Sequence, residues 1–225
     1  MSRAWTEALS WLCPQRAVCH ACGAPLSASD GLVCPDCRRW LEADTLTAGR
    51  WETMLGDELA CAASAFRYDG TAAALVKALK FQSDQTAALA LAHGMAAVYA
   101  ALPALRAAEV CVPVPVHRRR LRSRGYNQAA VLAGALSQHT GLPVWDGALL
   151  RLWQKRSQIG SGRAAREANI AGAFVPAVSW ERRLRNRSVL LVDDVLTTGA
   201  TAQACAHALL SAGARSVALL TACRA

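Results

Sequence analysis

One stretch decides the fold: residues 189–201 have the sequence VLLVDDVLTTGAT. Its apolar beginning predicts a buried β-strand, and two adjacent acids, Asp193 and Asp194, end that strand. A loop of small and hydroxyl-bearing residues follows, and a helix over 201–212 begins directly after the loop. In open α/β sheets, ligands bind beyond the carboxyl ends of the strands. The stretch therefore predicts a mainly parallel sheet with a ligand site at its edge.

The loop of this stretch predicts a phosphate site. A helix N-terminus offers backbone N–H groups and a favourable dipole to an anion, and three threonine hydroxyls add further donors. Gly199 has no side chain, so a phosphate can approach the backbone there. The two acids would repel a polyphosphate unless they faced ribose hydroxyls or a hydrated Mg²⁺, so the pattern favours a sugar phosphate. The candidate ligand-binding residues are Asp193, Asp194, Thr197, Thr198, Gly199, Ala200 and Thr201.

Two other interpretations compete with this one. An apolar strand that ends in acids is also typical of a Walker B segment, but the chain contains no Gly-Lys dipeptide, so a P-loop partner is absent. The stretch could also be a buried strand with an acid pair on the surface and a threonine N-cap.

The rest of the second part of the chain alternates between strand and helix patterns. Such alternation predicts an α/β fold in which helices cover both faces of a mainly parallel sheet. We expect a basic loop over 116–125 and a polar loop over 153–168. The predicted strands are 60–68, 109–114, 144–151, 188–193 and 215–222, and the predicted helices are 71–81, 84–102, 127–140 and 201–212.

The N-terminal part carries two Cys-x-x-Cys pairs, Cys19 with Cys22 and Cys34 with Cys37, separated by eleven residues. Two such knuckles predict a tetrahedral site for a structural zinc ion, which a segment this small needs in order to fold. A thioredoxin-like redox motif is the alternative, but it would need a βαβ context. His20 or Cys13 could also compete as a ligand.

Composition and length allow a small module joined to one domain of ordinary size. The 225 residues have 53% hydrophobic content and a mean hydropathy of +0.18, which excludes a disordered or low-complexity chain. We expect a zinc-knuckle module over 1–45, a linker over 46–58 and an α/β domain over 59–225. The apolar segment 86–105 contains a histidine and a proline and does not predict a transmembrane span. No signal peptide is evident, so a cytoplasmic location is expected.

The net charge of +9 is unevenly distributed. Residues 1–65 hold 5 Lys and Arg against 8 Asp and Glu, whereas residues 66–225 hold 20 against 8. We therefore expect a phosphate ligand, a nucleic-acid backbone or an anionic membrane surface to bind the second part. Five arginines lie within residues 118–124. This run could be a solvated face, a pyrophosphate contact or a nucleic-acid contact.

The stretch at 189–201 resembles the phosphoribosyl pyrophosphate (PRPP) signature of type I phosphoribosyltransferases. Further motifs are similar to those of the competence protein F (ComF) family. They are the two cysteine knuckles, Phe66-Arg67-Tyr68-Asp69-Gly70, Leu79-Lys80-Phe81, Val112-Pro113-Val114-Pro115, Arg124-Gly125-Tyr126-Asn127-Gln128, Gln158, and Arg166 with Asn169 ahead of Gly172-Ala173-Phe174.

The resemblance implies a type I phosphoribosyltransferase fold that binds PRPP, or a related phosphosugar, together with Mg²⁺. It implies a role in natural competence, in which the protein handles incoming single-stranded DNA in the cytoplasm beside a helicase-type partner at the inner membrane. An active phosphoribosyltransferase of nucleotide salvage and a PRPP-sensing protein without catalysis are the alternatives.

The resemblance also implies roles for individual residues. Asp193 and Asp194 would bind ribose, and the loop from Thr197 to Thr201 would bind the 5′-phosphate. Arg118 and Arg122 would meet pyrophosphate. Apart from the resemblance, five arginines are more than one pyrophosphate can engage, so we expect others of the run to contact DNA. The DNA candidates are Arg119, Arg120 and Arg124. Residues of the 153–168 loop would close over PRPP, and the candidates there are Lys155, Arg156, Gln158 and Arg166.

Overall fold

The computed structural model describes residues 17–45, 57–152 and 172–225. The predicted mobile-loop residues Lys155, Arg156, Gln158 and Arg166 lie outside the described residues, as does Cys13. The described elements, in chain order, are α1 Pro35–Asp44, β1 Cys61–Arg67, α2 Gly70–Phe81, α3 Ala87–Ala101, α4 Pro103–Arg106, β2 Val110–Pro113, α5 Arg118–Arg124, α6 Gln128–Thr140, β3 Leu149–Arg151, β4 Phe174–Pro176, α7 Glu181–Leu184, β5 Ser188–Leu196, α8 Ala200–Ser211 and β6 Ser216–Arg224.

The main sheet is parallel, which confirms the predicted α/β class. Within the described residues its strand order is β1-β6-β5-β2, and each neighbouring pair runs in the same direction. Strands β3 and β4 form a separate antiparallel pair. The carboxyl ends of β5 and β2 therefore lie side by side at one edge of the sheet, and the segments that follow both strands begin there.

Apolar side chains on both faces of the sheet explain why β5 is buried. Successive residues of a strand point to opposite faces, so Leu190 and Val192 pack with the helices α3 and α6, whereas Val189 and Leu191 pack with α8. The aliphatic sequence of β5 is thus typical of a strand that is covered on both sides. None of the helices in the described parts of the chain has the length and hydropathy that a membrane crossing would require.

The basic segment 116–125 was expected to be a loop, and this expectation is wrong. Residues 118–124 form the helix α5. The His117 side chain accepts a hydrogen bond from the Arg119 backbone N–H at 3.2 Å, and Gly125 ends the helix in the left-handed conformation, with φ of +85°. Arginine is a good helix former, and these two residues supply the capping that a short helix needs.

Two predicted strand boundaries are also wrong. The predicted strand 144–151 is interrupted at Gly147, whose φ is +83°, so only Val144 bridges to Cys111 while residues 149–151 belong to the small second sheet. Strand β5 continues to Leu196 because β6 offers pairing partners that far along. Asp193 and Asp194 therefore lie within the paired strand and not in the loop after it.

The N-terminal module packs on the sheet domain. Val33 and Leu41 are buried in the same apolar cluster as Phe66 and Leu75. The buried Asp44 carboxylate accepts a hydrogen bond from the Arg67 backbone N–H at 3.0 Å, and it also pairs with the Arg67 guanidinium. The two parts thus share one core in addition to their chain connection.

Candidate functional site

A cavity of about 540 Å³ opens at the carboxyl edge of β2 and β5. This volume lies within the range of small-molecule sites in proteins. Its lining combines the acid pair, one threonine of the predicted phosphate loop and several cationic side chains. The lining residues are Lys80, Phe81, Ser83, Val114, Pro115, Val116, Arg120, Ser123, Arg124, Gln128, Arg151, Asp193, Asp194 and Thr201.

Asp194 has one satisfied and one unsatisfied carboxylate oxygen. Its Oδ1 lies 3.1 Å from the Lys80 Nζ, and both side chains are largely buried. Its Oδ2 is, among the residues that the structure describes, the one buried side-chain oxygen or nitrogen without a hydrogen-bond partner. A buried acceptor of this kind is costly unless something pairs with it. The Oδ2 atom is therefore a candidate acceptor for a ligand hydroxyl or for a water bound to a metal ion.

The neighbouring acid, Asp193, is affected by burial and by its neighbour. Burial raises the pKa of Asp193 to about 7, and the negative charge of Asp194 acts in the same direction. The Asp194 backbone N–H donates to the Asp193 Oδ1 at 2.8 Å and, with the positive charges of Lys80 and Arg151, lowers that pKa in part. The carboxyl group of Asp193 thus titrates close to neutral pH.

The predicted phosphate loop leads into α8 as expected. Gly199 is the N-cap of α8, with φ of +80°, a conformation that favours glycine. Thr197 and Thr198 are exposed, Ala200 is the first helical residue, and Thr201 lines the cavity. The backbone N–H groups in the first turn of this twelve-residue helix therefore lie next to the acid pair.

The helix α5 divides the arginine run between two faces. Arg120, Ser123 and Arg124 line the cavity, whereas Arg118 and Arg122, one helical turn apart, do not belong to its lining. Arg119 is exposed as well. Two arginines predicted to contact DNA, Arg120 and Arg124, are thus the ones that the structure brings to the acid pair.

The Arg-Gly-Tyr-Asn-Gln motif at 124–128 positions this part of the site. Asn127 caps α6 by accepting from the Ala129 N–H at 3.1 Å, and its amide donates to the Val114 carbonyl at 3.0 Å. The Tyr126 hydroxyl donates to the Leu79 carbonyl, and the Arg124 guanidinium donates to the buried Gln128 side chain. The motif therefore connects the loop after β2 with the end of α2.

Sequence reasoning missed Lys80, Arg151 and Gln128 as site residues. Lys80 is one of only three lysines in the chain, and this low number could have marked it as a candidate site residue. Arg151 ends β3, a three-residue strand of the second sheet, so its approach to the acids depends on tertiary packing that no local pattern records.

The four predicted cysteine ligands come together. The Sγ atoms of Cys19, Cys22, Cys34 and Cys37 all lie within 4.8 Å of one another, and Cys22 Sγ is 3.8 Å from Cys34 Sγ. A tetrahedron of Zn–S bonds of about 2.3 Å would separate its sulfurs by roughly 3.8 Å. Burial raises the pKa of the Cys19 thiol, but the backbone N–H groups of Cys34, Cys22 and Ala21 lower it to about 6. The donor set and spacing fit a zinc ion.

His20 lies inside the first knuckle, but its ring faces the sheet domain. Its Nδ1 pairs with the Asp84 carboxylate, and the Thr86 hydroxyl lies 3.3 Å from the same nitrogen. The His20 side chain therefore connects the knuckle to the loop between α2 and α3.

Comparison with known proteins agrees with this geometry. The phosphoribosyl transferase domain family matches residues 127–225. Competence protein F of Haemophilus influenzae is 38% identical over 97 residues, which cover 43% of this chain and 42% of that protein. The aligned region thus spans less than half of the Haemophilus protein.

Other relatives align over most of the chain. Competence protein ComFC of Bacillus subtilis is 27% identical over 92% of this chain and 83% of its own length. The DNA utilization protein YhgH of Salmonella typhimurium is 28% identical over 96% of each chain. Among solved structures, the glutamine PRPP amidotransferase of B. subtilis in complex with ADP and GMP has 22% identity and a TM-score of 0.42, covering 61% of this chain and 26% of that one.

The parallel sheet, the acid pair ahead of the Thr-Gly loop and the family match define a protein with a phosphoribosyltransferase domain that follows a four-cysteine cluster. The end-to-end relatives narrow that class. The chain is similar to proteins of the ComF/ComFC competence family.

Proposed function

We propose that the cavity binds PRPP, or a related phosphosugar, as its Mg²⁺ complex. The observation that carries the proposal is the composition of a single cavity, which joins an acid pair and a helix N-terminus to Lys80, Arg120, Arg124 and Arg151. A phosphosugar needs this combination, because its hydroxyls seek carboxylate acceptors while its phosphates seek cations and backbone N–H groups.

Each group of the ligand then has a partner. Asp193 and Asp194 accept from the ribose hydroxyls, and the loop from Thr197 to Thr201 holds the 5′-phosphate. Arg120 and Arg124, which line the cavity, take the pyrophosphate role expected for Arg118 and Arg122. The unpaired Asp194 Oδ2 accepts from a ribose hydroxyl or from a water of the hydrated Mg²⁺. Residues 153–168 remain the predicted loop that closes over the ligand and excludes water.

Calorimetric titration of PRPP with and without Mg²⁺ tests this assignment. Thr198→Val and Asp193→Asn should each weaken binding, by about 10- to 150-fold if one charge-assisted hydrogen bond of roughly 1.5–3 kcal/mol is removed. The double variant Arg120→Ala/Arg124→Ala should bind far less PRPP than the charge-matched control Arg118→Ala/Arg122→Ala. Unchanged affinity in Thr198→Val and Asp193→Asn would place the ligand elsewhere.

Pyrophosphate release separates transfer from binding. Displacement of pyrophosphate at C1 of the ribose would be stabilised by Mg²⁺ and the arginines. Incubation with PRPP and a panel of nucleobases should release pyrophosphate if the protein is a transferase. A PRPP-sensing protein would bind the ligand with the same affinity and release none.

We further propose that the protein handles single-stranded DNA in the cytoplasm, in association with a helicase-type competence partner. Relatives whose names refer to competence and DNA utilization support this role. A specific observation also favours it, because Arg118, Arg119 and Arg122 are exposed and lie outside the cavity lining. An exposed cationic helix face suits a phosphate backbone.

A salt titration of a fluorescent single-stranded oligonucleotide tests the DNA role. The logarithm of affinity should fall with the logarithm of salt concentration, with a slope of about −0.7 for each phosphate bound. Arg118→Ala/Arg122→Ala should reduce the magnitude of the slope by about 0.7 for each phosphate that the variant no longer binds. The pair Arg120→Ala/Arg124→Ala should affect PRPP more than DNA. Equal slopes in wild type and both variants would assign the outer arginines to a solvated face.

We propose zinc as the ion of the cysteine cluster, with a structural role. Four sulfur ligands leave no open position for a substrate, which is typical of structural and not catalytic zinc. Metal analysis of the purified protein should give one zinc per chain.

A further inference from the structure

The N-terminal module contacts both ends of α2, the helix that carries Lys80 to the cavity. At the N-terminal end, the Trp40 ring of α1 lies so close to Gly70 that a Cβ atom there would be 2.5 Å from the ring. At the C-terminal end, the His20 ring of the first cysteine knuckle pairs with the Asp84 carboxylate. The position of α2 therefore depends on the cysteine-bearing module as well as on the sheet.

The cysteine cluster fixes the backbone around His20. Cys19 and Cys22, on either side of it, are two of the four candidate zinc ligands. The His20 backbone N–H donates to the Leu32 carbonyl at 3.2 Å, so it also connects the first knuckle to the segment before the second. The position of the His20 ring therefore depends on the folded cluster.

Both carboxylate oxygens of Asp84 have a partner. Its Oδ2 pairs with the His20 Nδ1, and its Oδ1 accepts a hydrogen bond from the Thr86 backbone N–H at 3.1 Å. The His20 and Asp84 side chains are 27% and 21% exposed, so water screens their pair only in part. Asp84 is thus a fixed point in the loop between α2 and α3.

The turn next to Asp84 has a strained backbone conformation. Ser83 has φ of +56°, in the left-handed region that residues other than glycine seldom adopt. Such a conformation persists only where the surrounding contacts hold it. Before the turn, the Tyr126 hydroxyl donates to the Leu79 carbonyl, and after the turn, His20 holds Asp84. Loss of the His20 ring would therefore free one side of the turn.

The same turn contributes to the proposed phosphosugar cavity. Ser83 lines the cavity, and shortly before it the Lys80 Nζ lies 3.1 Å from the Asp194 Oδ1. A site becomes too loose when its supporting contacts let side chains shift by about 1 Å. His20 and Asp84 are not among the lining residues. They therefore act on the cavity through their neighbours and not by contact with the ligand.

We propose that His20 and Asp84 are positioning residues of the cavity: their pair ties the Ser83 turn to the cysteine cluster, so that a filled cluster and a bound phosphosugar stabilise each other. The inference rests on the proposed phosphosugar function of the cavity. Coupling between two sites is reciprocal, so the ion should raise the affinity for PRPP by the same factor as PRPP raises the affinity for the ion.

Calorimetric titration of PRPP, with Mg²⁺ present, into the zinc-loaded protein tests the positioning role. His20→Ala should retain one zinc per chain and weaken PRPP binding by about fivefold, the lower end of coupling between two sites, because the pair is partly exposed. His20→Asn keeps a side-chain N–H donor near the position of Nδ1 and should restore most of the affinity. The matched control is His139→Ala, which removes an exposed histidine outside the cavity lining and should bind PRPP as wild type does.

A double-mutant cycle shows whether the two residues act as a pair. Asp84→Ala should weaken PRPP binding as much as His20→Ala does, and the double variant should be no weaker than either single variant. Additive losses in the double variant, or no recovery in His20→Asn, would overturn the positioning role. Loss of zinc from His20→Ala would also overturn it, because the histidine would then be a metal ligand. Failure of zinc-loaded wild type to bind PRPP would instead overturn the phosphosugar function itself.

Zinc affinity supplies the reciprocal measurement. In competition with a chelator that is selective for zinc over Mg²⁺, saturating PRPP should raise the zinc affinity of wild type by about fivefold. The gain should disappear in Asp84→Ala, which loses the pair but keeps the four cysteines. An equal gain in both proteins would assign the coupling to the shared apolar core and would overturn the proposal.

Discussion

The cysteine cluster and the acid pair each bring side chains of one type close together, but different groups compensate their negative charge. Four sulfur atoms lie within 4.8 Å of one another and form a ligand set for an external cation. Asp194, by contrast, already has the Lys80 ammonium at 3.1 Å, and Arg151 lines the same cavity. We expect the first site to depend on its ion for folding, and the second to be formed before its ligand arrives.

The largest effect should come from loss of the ion. Cys34→Ser removes one sulfur ligand, and apparent binding energies of structural zinc reach about 10–16 kcal/mol. Because Cys34, Val33 and Leu41 share an apolar cluster with Phe66 and Leu75, the sheet domain should be destabilised too, contrary to what two independent modules would show. Zinc content and thermal unfolding measure both effects.

The matched control is Cys61→Ser. Cys61 is buried in β1 and lies outside the four-cysteine cluster, so this variant should keep one zinc per chain. A Cys34→Ser protein whose sheet domain melts at the wild-type temperature would restore the picture of two separable modules.

A smaller effect is expected at the core that the two parts share. A Cβ atom on Gly94, in α3, would lie 2.1 Å from the Phe66 ring, so Gly94→Ala should destabilise the protein by about 1–3 kcal/mol through overpacking. Gly134→Ala, in α6, meets nothing within 4 Å and should stabilise by roughly 0.5–1 kcal/mol, since alanine favours the helix. Urea unfolding would contradict this prediction if both substitutions changed the free energy of unfolding in the same direction.

The raised pKa of Asp193 should make the free energy of unfolding depend on pH. The pKa of Asp193 is about 7 in the folded protein and about 3.9 in an unfolded chain. The folded state therefore keeps a proton that the unfolded state releases, and the stability from this group is lost as pH rises through 7. Asp193→Asn removes that loss, so the variant should gain stability relative to wild type between pH 6 and pH 8, in urea unfolding without Mg²⁺.

The control for this experiment is Asp30→Asn, because the Ser27 backbone N–H lowers the pKa of Asp30 and keeps its carboxylate ionised at both pH values. Its difference from wild type should be the same at pH 6 and pH 8. If the stability difference between Asp193→Asn and wild type were also the same at pH 6 and pH 8, the Asp193 carboxyl group would not titrate in this range.

The smallest effect concerns His20. We expect His20→Ala to retain one zinc per chain, because the ring pairs with Asp84 and not with the sulfur cluster. Loss of this partly exposed pair should cost about 1 kcal/mol or less. Asp84→Asn should have an effect of similar size, while loss of zinc from His20→Ala would make the histidine a ligand after all.

The two sites also differ in how far the sequence predicts them. The cysteine cluster follows from the spacing of residues 19–37, and the acid pair with its loop follows from residues 193–201, because each pattern is local. The cationic side of the cavity combines Lys80, Arg120 and Arg151, which are far apart in the chain, so no window of sequence contains it.

The helix α5 shows why local sequence patterns do not predict this side of the cavity. Its run of arginines has no apolar stripe of core-facing residues, so hydrophobic periodicity gives no helix signal there. Unless the helix is known, the sequence does not show that Arg120 and Arg124 line the cavity while Arg118 and Arg122 do not. His117 and Gly125 cap the helix, and the helix places the two pairs of arginines on different faces.

The pairing of β1 with β6 has a consequence for synthesis of the protein. The buried hydroxyls of Ser64 and Thr221 are 2.7 Å apart although 157 residues separate them in the chain. Closing so long a loop is slow. Among the described strands, only β6 pairs with β1 in the main sheet, and this pairing cannot form until residues 216–224 have left the ribosome. During translation the nascent chain therefore carries an unpaired strand edge next to its cysteine cluster, which is the condition under which chaperones bind.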